Sequence, residues 1–338
     1  MKTNSVKAHF RELDGIRGLL SFVILLFHLG LNPLVGRLTY GWIPEGRYEL
    51  AVDFFFILSG FVLCHVSQGR KPDLGRFLVG RAFRMLPVAI LSLGLCLLAV
   101  RAVGDSFTLI ANLFLAQLFL GLPHLNRVAW SACSEMWMPG FLALGAWFGR
   151  KQGRVILWTL LLLMWALSGF SLGDNGIENR HVVDLLRSFA GLTAGFVLCM
   201  LFPAPAVEPE QSSPPLIPGL LLLAVVLIMV LGRKFGMMVY AFPVAAGFAI
   251  VGFLRTKTFL SGRVCQFLGA RSYALYMIHW PVLLFFSAYF GPDEIKGNVV
   301  LKLAIILSSL LVADLTHRYV ELPCLRLRDT LMPRPARP

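Results

Sequence analysis

The sequence predicts an all-α fold: a polytopic transmembrane bundle of about ten helices with both termini in the cytoplasm. Three observations carry that prediction. Of 338 residues, 57% are hydrophobic and only 14% are charged, where soluble chains carry about 25% charged residues. The apolar residues lie in continuous runs of spanning length, not in the alternation of a β-barrel. The basic residues, which give a net charge of +13, gather in short loops between those runs. That is the positive-inside pattern, and it accounts for the charge without nucleic acid as a partner.

The runs lie near 18–35, 50–67, 85–103, 129–149, 154–172, 183–202, 215–232, 236–254, 272–291 and 298–321. Lys2, Lys7, Arg11 and Arg17 put the N-terminus in the cytoplasm. Arg76, Arg81 and Arg84 do the same for the loop after the second run, and Arg150, Lys151 and Arg154 for the loop after the fourth. This alternation requires that the short apolar stretch 107–122 does not cross, so a re-entrant or interfacial segment on the outer side is expected there. Arg255, Lys257, Arg263 and Arg271 then fall inside, as does the tail with Arg326 and Arg328. Arg233 and Lys234 break the rule and are assigned to snorkelling at a helix end. The stretch 203–218, PAPAVEPEQSSPPLIP, reads as a Pro-rich linker. No small-residue cleavage site follows the first run, so no cleavable signal peptide is expected. The six cysteines are scattered without a CxxC pair, which argues against a disulfide framework or a metal site. With no internal repeat or soluble segment, 1–338 reads as a single membrane domain.

The first run carries the strongest functional signal. Arg17 and His28 are eleven residues apart, close to three whole turns, so both lie on one face roughly 16 Å apart along the axis. Asp14 and Ser21 fall within about 40° of that line. Ionisable groups in a membrane are costly and mark sites by default; packing across the bundle is the alternative. Further along, Asp53 opens the second run, and Ser59-Gly60 is a small pair suited to close helix packing. Arg81 and Arg84 share a helical face just before Pro87. Paired arginines suit phosphate oxygens, and topology is the plainer reading. Ser131 and Glu135, four apart, are flanked by Trp130 and Trp137. Ser272, Tyr276 and His279 share a face, and Pro281 removes a backbone hydrogen bond beside that second intramembrane histidine. Asp314, His317, Arg318 and Glu321 read as ion pairs at the cytoplasmic end of the last run.

Taken together and in order, these segments resemble the acyltransferase-3 family of integral membrane acyltransferases, which includes O-antigen and exopolysaccharide O-acetylases. The resemblance rests on Asp14-Gly15-Ile16-Arg17-Gly18 with His28, on the segment 52–61, on Arg81, Arg84 and Pro87, and on Trp130, Ser131 and Glu135. It continues through Ser272, Tyr273, Tyr276, His279 and Pro281 to Glu321 and Pro323. It covers about residues 10–325. Met136 and Met85 stand where relatives often have a second acid and a further Arg. Some relatives carry an additional SGNH hydrolase-like domain, and this chain reads as a stand-alone member.

The resemblance implies transfer of an acyl group, by default acetyl, from acyl-CoA to a hydroxyl of a sugar or polysaccharide. Acyl-CoA is then a donor substrate, and no permanently bound cofactor is expected. The chemistry needs a base for the hydroxyl, stabilisation of the developing oxyanion and an anion site for CoA. His28 is the expected base, with Glu135 and His279 orienting it or the acceptor, and Arg17, Arg81 and Arg84 holding the donor. An acyl-cysteine route through Cys64 or Cys133 lacks a helix-spaced basic partner. A transporter or flippase for a glycan or lipid-linked sugar is the rival class, since intramembrane Asp, Arg and His also build proton relays.

Overall fold

The computed structural model describes residues 10–30, 49–67, 73–101, 105–148, 180–205, 216–231 and 241–332. The expected run 154–172, the greater part of the 203–218 linker, and Arg150, Lys151, Arg154, Arg233 and Lys234 lie outside them. The described residues are helical throughout their regular structure. The helices are α1 (Arg11–His28), α2 (Leu50–Ser67), α3 (Leu74–Val100), α4 (Ser106–Leu113), α5 (Ala129–Phe148), α6 (Arg180–Leu201) and α7 (Leu216–Leu231). They continue with α8 (Phe242–Phe253), α9 (Arg263–Ala270), α10 (Ser272–Phe290), α11 (Pro292–Gly297), α12 (Val299–Thr316) and α13 (Leu322–Leu331).

Among the described residues, Leu74–Val100, His181–Leu201, Ser272–Phe290 and Val299–Leu331 are long and apolar enough to cross a membrane. Leu50–Val66, Gly219–Leu231 and Phe242–Phe253 are shorter apolar helices. The eight residues of α4 measure about 12 Å, far short of the roughly 30 Å hydrocarbon core.

Local chemistry sets several of these boundaries. Asp73 caps α3 by accepting from the Arg76 amide at 2.9 Å, which starts the helix eleven residues before the apolar run at 85. Arg76, Arg81 and Arg84 thus ride on the helix rather than in a loop. Asp105 caps α4 from both carboxylate oxygens, to the Thr108 amide and hydroxyl. A single π-turn, His317–Glu321, carries α12 directly into α13.

Two close approaches fix the helices around the site. At Gly18 a Cβ would overlap the Gly269 amide nitrogen of α9, and at Gly60 it would overlap the Leu192 carbonyl of α6. Only glycine lets these backbones meet. The glycines of the Asp-Gly-Ile-Arg-Gly segment are therefore packing residues, and the Ser59-Gly60 pair packs as expected. Phe54, Phe56 and Phe61 on α2 are fully buried in the core.

Candidate active site

Helices α1 and α10 run side by side in the same direction, because they share neighbours at both levels. At their N-terminal ends, Asp14 and Arg17 of α1 and Ser272 and Tyr273 of α10 line one polar cavity of about 290 Å³, together with Arg84 and Glu321. Three turns further, His28 of α1 meets His279 of α10. Helix α5 runs the opposite way. Its N-terminal Ser131 donates to the Tyr276 hydroxyl at 2.7 Å, which in turn donates to the Val128 carbonyl.

The cavity end is ionic and balanced. Arg17 lies 3.9 Å from Asp14. Arg81 lies 4.0 Å from Glu135, which also accepts a 2.7 Å hydrogen bond from the Ser59 hydroxyl. Glu321 lies 2.9 Å from His317 across the π-turn. Tyr273 donates to the Met85 carbonyl of α3 at 2.9 Å, tying α10 to the arginine-bearing helix. The structure thus separates two residues that the sequence grouped. Glu135 belongs with the arginines, and His279 alone of the pair reaches His28. The cause is helix direction. On α5, Ser131 already sits at the level of Tyr276, and Glu135 lies one turn further from the histidines.

The histidine end is built from two imidazoles. His279 is fully buried and its Nδ1 lies 3.1 Å from the Leu275 carbonyl. A carbonyl only accepts, so in neutral His279 the proton sits on Nδ1 and Nε2 carries the lone pair. That Nε2 lies 3.1 Å from Nδ1 of His28, which also faces the Ile24 carbonyl at 3.1 Å. Two acceptors around His28 Nδ1 assign the proton there. The remaining nitrogen, His28 Nε2, is left with its lone pair, on a residue that is partly exposed. Trp280 stands edge-on to His28, with ring centroids 5.4 Å apart.

Pro281 has no N–H for the Met277 carbonyl, and that carbonyl is satisfied by the side-chain amide of Asn126 at 3.1 Å. Asn126 also donates to Ser92 and accepts from the Val128 amide. The sequence flagged the proline but not this partner, which no spacing rule joins to it. Asp53 forms a 3.0 Å ion pair with Arg187 of α6, so it links α2 to α6. Ser21 is fully buried and donates to the Gly18 carbonyl of its own helix. Asp314 pairs with Arg318, as expected, and with Arg271 from the start of α10.

The model of a family described as an acyltransferase domain matches residues 10–318. The chain belongs to this acyltransferase family. The match takes in both ends of the site and stops three residues short of Glu321. Among relatives, a Staphylococcus aureus (strain COL) protein named as an O-acetyltransferase is 22% identical over 355 residues. The O-acetyltransferase OatA of S. aureus (strain NCTC 8325 / PS 47) is 22% identical over 367 residues. Each alignment covers 92% of this chain and 56% of the relative, so the chain spans little more than half the length of these acyltransferase relatives. No solved structure matches.

Proposed function

We propose that this protein is a membrane O-acyltransferase that moves an acyl group, by default acetyl, from acyl-CoA to a hydroxyl of a sugar or polysaccharide. The reading includes ten spans, cytoplasmic termini and a place in the bacterial inner membrane. The observation that carries it is the contact between His28 Nδ1 and His279 Nε2, set three turns from a cavity lined by Arg17 and Arg84.

In this reading His28 is the general base. Its Nε2 takes the proton of the acceptor hydroxyl as the oxygen attacks the thioester carbonyl. Collapse of the tetrahedral intermediate breaks the C–S bond, and the departing thiolate takes the proton from the imidazolium. His279 acts through His28: its Nε2 lone pair holds the Nδ1 proton and fixes both tautomer and ring orientation, as the partner of a catalytic histidine must. Arg17 and Arg84, with Arg81 beside them, serve the phosphates of the donor. A cavity of about 290 Å³ is at the lower limit of ligand pockets and takes one part of CoA at a time. Phosphate oxygens would replace Asp14 as the partner of Arg17.

The test is thiol release from acetyl-CoA by the purified protein in nanodiscs, with a glycan acceptor, alongside thermal unfolding with and without acetyl-CoA. Acceptor-stimulated thiol release and a raised Tm support the reading. Absence of both overturns it.

A further inference from the structure

Arg127 lies in the loop before α5, at the histidine end of the bundle, and belongs to none of the motifs singled out in the sequence. Its side chain is exposed. Its guanidinium sits over the Trp280 ring, 5.6 Å from the centroid, and that ring stands edge-on to His28. The loop that carries it is fastened on both sides. Asn112 donates to the Pro123 carbonyl and accepts from the Leu125 amide. Asn126, only 2% exposed, is held by Ser92, Met277 and Val128. An exposed arginine on a loop is ordinarily free to wander, and its side chain loses substantial entropy when held. Here the two neighbours and the aromatic ring hold it beside the proposed base.

The charge around it completes the argument. At the cavity end, each of Arg17 and Arg81 faces a carboxylate. Among the described residues no carboxylate forms an ion pair with Arg127. A positioned guanidinium with no carboxylate ion pair among the described residues suits, by its fork geometry, carboxylate or phosphate oxygens.

We propose that Arg127, braced on Trp280, forms an acceptor subsite that binds an anionic group, carboxylate or phosphate, on the sugar whose hydroxyl faces His28. The inference rests on the acyl-transfer reading for its purpose, though not for its binding test. Arg127 sets which acceptor is taken, and His28 acts on whatever hydroxyl is presented.

The experiment compares methyl β-D-glucuronide, glucose 6-phosphate and the neutral methyl β-D-glucoside by ligand-detected NMR on the protein in nanodiscs, without donor. The parent should bind one or both charged sugars about 10–100-fold more tightly than the neutral one, the range of a charge-assisted hydrogen-bond pair. Arg127→Gln should bring that ratio close to one, and Arg127→Lys should retain part of it. Which charged sugar is preferred separates carboxylate from phosphate recognition. Equal binding of charged and neutral sugars by the parent overturns the proposal, as does an unchanged ratio in Arg127→Gln. Thiol release from acetyl-CoA is followed in the same preparations. If it is absent while anion binding still depends on Arg127, the subsite stands and the transfer reading falls.

Discussion

The two ends of α1 solve opposite problems with side chains three turns apart. At the Arg17 end, cations and carboxylates face each other: Arg17 with Asp14, and Arg81 with Glu135, while Glu321 adds a further acid to the same cavity. At the His28 end two imidazoles share a proton position, with a backbone carbonyl facing each. The difference teaches what each end can do. A balanced ionic cavity can exchange an internal carboxylate for a ligand's phosphate without stranding a charge. A neutral imidazole with a fixed tautomer can take and return one proton. In this account the first end binds and the second reacts.

That division predicts which kinetic parameter each substitution moves. The largest expected effect is at His28. His28→Ala should lower kcat by about 10²–10⁴-fold, the usual contribution of a general base, with the KM for acetyl-CoA moving far less. A variant that raises this KM and spares kcat would assign His28 to the binding end. Asp53→Ala should be next, and on a different axis. It leaves buried Arg187 with Asp184 at 3.6 Å and the Glu49 carbonyl at 3.5 Å. Breaking such a pair costs about 3 kcal/mol or more, so the midpoint of chemical unfolding in detergent should drop while residual folded protein keeps its kcat.

Arg17→Gln should act on the donor side alone. Loss of a charge-assisted contact to phosphate should raise the KM for acetyl-CoA about tenfold. An equal fall in kcat with no change in KM would erase the distinction between the ends. The smallest effect belongs to Asp105, outside the site. Hydrogen bonds from the Thr108 hydroxyl and amide hold its carboxyl below the usual range. A depressed carboxyl stabilises the fold above its unfolded value, near 3.9, and that support is lost as pH falls through the lower folded value. Amide protection at Thr108, corrected for intrinsic exchange, should therefore weaken only below about pH 4, and Asp105→Asn should weaken it at neutral pH.

Much of this was legible in the chain. Apolar runs located the helices, and the spacing of Arg17 and His28 put both on one face of α1. What composition could not give was the partner of each group. Hydropathy marks apolar residues, not helix, so α3 begins at Leu74 where Asp73 caps it rather than at the apolar run. Glu135 and His279 were equally good companions for His28 until the antiparallel course of α5 carried the glutamate toward Arg81. Asn126 answers the carbonyl that Pro281 leaves open, from 151 residues away in sequence. Arg187, the counterion of Asp53, has Asp184 one turn away on its own helix, and nothing in the spacing points to Asp53, 134 residues earlier.

The most direct test of the central claim is a double-mutant cycle on kcat for acetyl transfer with His28→Ala, His279→Ala and both together. His279→Ala alone should cost about 10–100-fold, the range for a partner that orients a functional histidine. The double variant should be no slower than His28→Ala, because His279 acts only through His28. Independent, multiplying losses would contradict the shared-proton pair, and a His28→Ala rate within a few-fold of the parent would contradict the whole account.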